Sequence, residues 1–267
     1  MAQPGLRVRQ RHRGPQSSWQ PRPQATIIRG GTGQNHSILY NDIAAAYQNA
    51  LRWHIQGSSA HGDCARDICN AWSATLTTIG GNADRFLAAG IYGWQFANVG
   101  ELMRGHPGFD LARFRNMMRT VFYSMNDDFL YGGDDGVSHN GGCIINYWAN
   151  WDLCNMASVM AIGILCDDGT MFDRAVNYFY NGACNGSIRH AVPYVYGDQG
   201  LAQWQEAGRD QGHTVMGDGP DGRDLRDGLE PGHRPLRRRE QPVHEGGAVR
   251  LQGQPRRECV VHEVHLG

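Results

Sequence analysis

The stretch Ile144-Ile145-Asn146-Tyr147-Trp148-Ala149-Asn150-Trp151-Asp152, continued by LCNMASVMAIGIL to Leu165, is apolar on nearly every side once its polar entry is passed. A helix that is hydrophobic all round belongs inside a core. Residues 144–165 therefore predict the buried central helix of an all-α domain, with a polar knot (Asn146, Asn150 and the flanking aromatics) at its leading end.

Working outward, other segments repeat apolar residues at helical spacing. Asn41 or Asp42 can cap a helix whose face runs Ile43, Ala46, Tyr47, Ala50, Leu51 and His54. A second carries Ile68, Trp72, Leu76 and Ile79 and stops at Gly80-Gly81. Further helices are expected over residues 83–102, 111–125, 171–180 and 201–216. Strand-type alternation is confined to residues 191–196, where Pro193 would restrict a strand to an edge. The connections are short and contain glycine, which favours antiparallel helical hairpins.

The ends of the chain differ in composition. Residues 1–25 are polar, rich in Arg and Pro and aperiodic, and read as a disordered segment outside the fold. Residues 218–267 hold nine Arg and no Phe, Tyr, Trp, Ile or Met, so they cannot build a core. Read one base out of register, GC-rich synonymous codons for the residues after Gly217 permit MGLMAATCEMAWNQ, an amphipathic helix. The segment is therefore expected to be an aberrant, frame-shifted and disordered tail. All 25 basic residues are arginine, which fits a GC-rich coding bias.

The 267 residues allow one large domain or two small ones, and the formal net charge of -1 gives no reason to expect nucleic acid or an acidic membrane surface as partner. No apolar run reaches the ~20 residues that span a bilayer, and the N-terminal arginines have no apolar stretch behind them to make a signal peptide. Seven cysteines without a CxxC spacing give little support to a zinc or thioredoxin site; buried thiols are the plainer expectation, with disulfides as the alternative. His262-Glu263-Val264-His265 lacks the HExxH spacing, and Gly31-Thr32-Gly33-Gln34-Asn35-His36 is too short and too lightly spaced in glycine for a phosphate loop. No cofactor and no metal are expected.

A second polar knot, Gln205-Glu206-Ala207-Gly208-Arg209-Asp210-Gln211-Gly212-His213, crowds charged and amide groups that are costly to bring together unless they pair or act on a ligand. On one helix, Arg209 and His213 would share a face. With the knot at residues 146–151, this points to a carbohydrate-acting site.

The patterns YNDIAAAYQNALRWHIQG, ARDICNAWSATL and FLAAGIYGWQFANVGELMR, with the Asn-Trp of ANWDLCNMASVMAIGILCDDGTMFDRAV and the QEAGRDQGHTVMG segment, resemble the alginate lyase superfamily over residues 26–217. The resemblance implies an incomplete (α/α) toroid, secretion, a monomer and an acidic polysaccharide substrate, alginate or glucuronan, cleaved by β-elimination. It implies that Asn150 neutralises the uronate carboxylate, that Arg209 grips it, and that His213 is the candidate base. Glu206 would orient Arg209 or His213. Gln205 and Gln211 would bond sugar hydroxyls, and Trp151 would stack on a ring or pack in the core. His139, Asn140, Asn146 and His36 are expected to line the cleft, and Tyr194 and Tyr196 are weaker candidates. The family's later catalytic Tyr is missing if the frame slips near Gly217, so the chain as written could be inactive. Two rivals stand beside this: an inactive uronate-binding remnant, and an α/α-toroid glycoside hydrolase. The hydrolase would need paired carboxylates about 5–10 Å apart, for which only Asp134, Asp135 and Asp152 offer themselves.

Overall fold

A computed structural model describes residues 16–132, 147–182, 184–199, 201–210 and 212–213. Helices dominate: α1 (His36–Gln56), α2 (Ser59–Thr75), α3 (Asp84–Met103), α4 (Leu111–Met117), α5 (Ser124–Tyr131), α6 (Ala149–Leu165), α7 (Gly169–Asn181) and the short α8 (Ile188–Ala191). A π-helical segment, Met118–Tyr123, joins α4 to α5. Two small sheets complete the described chain. Strand β1 (Thr26–Ile28) pairs in parallel with β2 (Thr78–Gly80), and β3 (Tyr194–Tyr196) pairs antiparallel with β4 (Leu201–Gln203).

The expected central helix is α6. All but three of its residues are buried, and it packs against α3, α5 and α7. The approach to α3 is close because α3 presents glycines to it. A Cβ on Gly93 would fall 2.1 Å from Ser158 Oγ, and one on Gly90 would lie 2.9 Å from the Asn155 amide nitrogen. Polar groups inside this contact satisfy one another. Asn126 Nδ2 donates to Asn155 Oδ1 (2.7 Å), Ser158 Oγ donates to Asn126 Oδ1 (2.7 Å), and Asn155 Nδ2 donates to Trp151 O (2.9 Å).

The far end of α6 is tied by arginines. Asp167, the residue with positive φ that turns the chain out of the helix, accepts from Arg104 Nη1 (3.1 Å) and Arg115 Nη2 (2.5 Å). Both arginines also donate to the Leu165 carbonyl, where the helix leaves acceptors without intrahelical donors. Burial works to raise the Asp167 carboxyl, and these two arginines overcome it, holding the group below its ordinary range.

Three expectations need correction. Residues 16–25 are not detached from the fold. Trp19 Nε1 donates to Asp42 Oδ1 (2.9 Å) and the Arg22 amide to Asp42 Oδ2 (2.7 Å), while Trp72 Nε1 reaches Asp42 Oδ2 at 2.8 Å. Asp42 is consequently no helix cap: α1 begins at His36, and Asp42 is fully buried within it as the acceptor for these three donors. Residues 201–210 are not a helix. Leu201–Gln203 forms β4 against β3, the Gln205 amide bonds across to Ala191 O, and residues 205–209 are turns closed by local bonds such as Arg209 N–H to Glu206 O (2.9 Å). The strand expected at residues 191–196 is present as β3, after Pro193. Cys64, Cys69 and Cys166 carry thiols rather than disulfides, as the plainer expectation had it. Residues 1–15 and 218–267 lie outside the described residues.

Candidate active site

The leading end of α6 is where the two polar knots meet. Trp148 occupies the N-cap position but makes no side-chain capping bond. That work passes to Gln205, whose Oε1 accepts from the Ala149 amide (2.8 Å), one of the donors a helix start leaves without an intrahelical partner. Gln205 also donates through Nε2 to His190 O (3.3 Å) and through its backbone to Ala191 O (2.9 Å). One side chain thus fastens the β3–β4 hairpin and α8 to the start of α6. On the other side of that start, Asn185 Nδ2 donates to Tyr147 O, and Tyr178 OH donates to the buried Asp152 (2.6 Å). Burial, then the Asp152 carboxylate, pushes the Tyr178 hydroxyl far above its ordinary value.

Beyond Gln205 the chain folds back on itself. Glu206 is completely buried, and its Oε1 pairs with Arg209 Nη2 and lies 3.3 Å from His213 Nδ1. His213 Nδ1 is also 3.3 Å from Asp210 Oδ2 and 3.3 Å from Arg209 Nη2. The His213 amide donates to Asp210 Oδ1 (3.0 Å), and this bond foremost holds the Asp210 carboxyl below its ordinary range. The Arg209 guanidinium lies over the Trp148 ring at 4.5 Å.

Asn150, in the first turn of α6, is 1% exposed, and among the described residues neither Nδ2 nor Oδ1 has a hydrogen-bond partner. Glu206 Oε2 is likewise buried without one. Most buried polar atoms are paired, and an unpaired one costs about 1–3 kcal/mol. Asn150 and Glu206, in adjoining segments, both carry such atoms.

The structure brings Gln205, Glu206, Arg209 and His213 into one cluster against the entry to α6, which carries Asn150. Arg209 and His213 meet, with Arg209 in the turns of residues 205–209 rather than on the helix expected for both. Gln205 bonds protein backbone rather than standing ready for a sugar. Trp151 packs into the core, with its ring centroid 4.8 Å from Tyr147 and 6.1 Å from Phe129. Trp148, not singled out from the sequence, holds the ring position beside Arg209. His36 is half-buried at the start of α1, and among the described residues no bond, ion pair or ring contact links it to this cluster. Its neighbour Asn35 clamps β1, accepting from the Ile28 amide (2.6 Å) and donating to Thr26 O (3.0 Å). His139, Asn140, Asn146 and Gln211 lie outside the described residues, as do Asp134 and Asp135. Among the described residues no group of three or more His, Cys, Asp or Glu is placed to hold a metal ion, and no helix is long and apolar enough to cross a membrane.

Residues 30–191 match the alginate lyase family model. The chain belongs to the alginate lyase family, a family of polysaccharide lyases. The match takes in Asn150 and the start of α6 and ends before the Gln205–His213 cluster. No curated protein and no solved structure matches the chain.

Proposed function

We propose that this chain is a polysaccharide lyase acting on a uronic-acid polymer, alginate or glucuronan, by β-elimination, with the helical hairpins forming an incomplete (α/α) toroid. The observation that carries the reading is the buried Asn150 amide, unpartnered among the described residues, two positions after the Trp148 over whose ring the Arg209 guanidinium lies. Abstraction of the C5 proton builds negative charge next to a carboxylate that is already an anion. Preorganised donors aimed at that charge are the largest single contribution such a site can make. Asn150 Nδ2 supplies a neutral donor. Arg209 supplies a cation whose side chain is 44% exposed while Glu206, behind it, is wholly buried.

His213 is the base in this scheme. With a proton on Nδ1 it donates toward Glu206 or Asp210, and bare Nε2 is left to take the C5 proton. Arg209 Nη2 then gives its bond to Glu206 rather than to the imidazole. As the proton leaves, the C4–O bond breaks, the departing oxygen takes a proton from solvent while His213 releases the one it accepted, and an unsaturated sugar end remains. Glu206 serves both partners: it neutralises Arg209 in part and fixes the His213 tautomer. The hydrolase alternative loses support because Asp152, the one described carboxylate offered for it, already accepts from Tyr178. The inactive uronate-binding remnant shares this site and differs only in turnover.

Incubation of the full chain with alginate and with glucuronan tests the reading. New ultraviolet-absorbing chain ends support a lyase. Reducing ends without that absorption point to a hydrolase, and binding without new ends points to the remnant.

A further inference from the structure

The entry to α6 carries three aromatic residues, and their rings divide. Tyr147 and Trp151 face the core and stack near Phe129, at 5.4 and 6.1 Å. Trp148 lies between them in sequence but is absent from that packing. Its ring meets the Arg209 guanidinium at 4.5 Å. The N-cap position itself gives no reason for a tryptophan. Ser, Thr, Asp and Asn are the residues that bond a helix start, and here Gln205 Oε1 supplies that bond from another segment. The identity of residue 148 is explained by the arginine and not by the helix.

We propose that Trp148 is a positioning residue: it forms the shelf on which Arg209 lies flat, so that the guanidinium edge is presented to a substrate carboxylate in register with the Asn150 amide. A guanidinium's N–H donors lie in one plane, the geometry that suits a planar carboxylate, and holding it by its face fixes how that plane is turned. Glu206 takes Nη2 on one side of that plane. The remaining donors have no partner among the described residues and are left for a ligand. Because Trp148 leads directly through Ala149 to Asn150, shelf and amide move together with the start of α6. The proposal rests on the reading of Arg209 as the group that grips a uronate.

The test uses the full chain with Trp148→Leu and Trp148→Phe, each also combined with Arg209→Gln. KM and kcat are measured on the polymer, and binding of saturated alginate oligomers is titrated to millimolar concentration. Loss of the shelf is expected to weaken oligomer binding and raise KM about fivefold, with a smaller change in kcat. Trp148→Phe should recover most of that loss. In the Arg209→Gln background Trp148→Leu should add less than about twofold, since the group it positions is gone. Equal losses in both backgrounds, or no loss in either, overturn the proposal and leave the lyase reading standing. Wild-type binding without elimination sinks the lyase reading alone, and the oligomer titrations still decide the role of Trp148. No binding by the wild type overturns both.

Discussion

Two asparagines on the same buried helix behave in opposite ways. Asn155, in the middle of α6, has both amide atoms engaged, with Asn126 and with the Trp151 carbonyl. Asn150, at the leading end, has neither atom engaged although it is as deeply buried. The first pattern is what a fold requires of a polar group in its core. The second fits the proposed role, in which the amide is kept for a substrate carboxylate. Burial is the same for both, and hydrogen-bond completion is what differs.

The sharpest way to break this contrast is to exchange the consequences. Asn150→Ala is expected to lower kcat by about 100- to 1000-fold, as loss of one preorganised donor does, while urea unfolding stays close to wild type because no internal bond is lost. Asn155→Ala should do the reverse. It strands Asn126 Nδ2 in the core and should lower unfolding stability by about 1–3 kcal/mol, with a far smaller effect on turnover of the folded fraction. If Asn150→Ala destabilises as much as Asn155→Ala, the amide at 150 is architectural and the contrast is void.

A third variant sharpens the scaffold side. Gly93→Ala would drive a methyl group into Ser158 Oγ and loosen α3 from α6, at about 1–3 kcal/mol by thermal or urea unfolding. The smallest effect concerns the other end of α6. Asp167 titrates below its ordinary value of 3.8, so it stabilises the fold above the carboxylate range, and that contribution disappears as pH falls through its lowered value. Asp167→Asn keeps a residue tolerant of positive φ and should flatten the acid side of the stability profile by under about 1 kcal/mol, as expected for an exposed pair. Unfolding midpoints measured between neutral pH and the onset of acid unfolding check this.

Much of the scaffold was legible because helical spacing survives in single sequences. Residues 144–165 read as buried, and α6 is buried; Ile43, Ala46 and Ala50 of α1 and Ile68 and Trp72 of α2 likewise face the core, while Tyr47 and His54 of the expected α1 face are exposed and Ile79, expected on the second helix, lies in β2. What escaped was decided by distant partners. Asp42 looks like a cap because it precedes an apolar run, yet its donors come from Trp19, Arg22 and Trp72, and nothing local announces them. Residues 201–213 carry a helix-like scatter of apolar groups, but pairing with Tyr194–Tyr196 turned the first of them into a strand. In the candidate site the residue types at 150, 206, 209 and 213 were readable from their unusual crowding. The choice between Trp148 and Trp151 was not, since spacing does not say which way a ring turns at the mouth of a helix.

The seat of Trp19 and Arg22 on Asp42 bears on how the protein should be produced. A recombinant version trimmed to the matched segment, starting at residue 30, would leave a carboxylate sealed inside α1 with only Trp72 to answer it. Such a product should express poorly for a reason unrelated to its chemistry, so cloning boundaries belong upstream of residue 16.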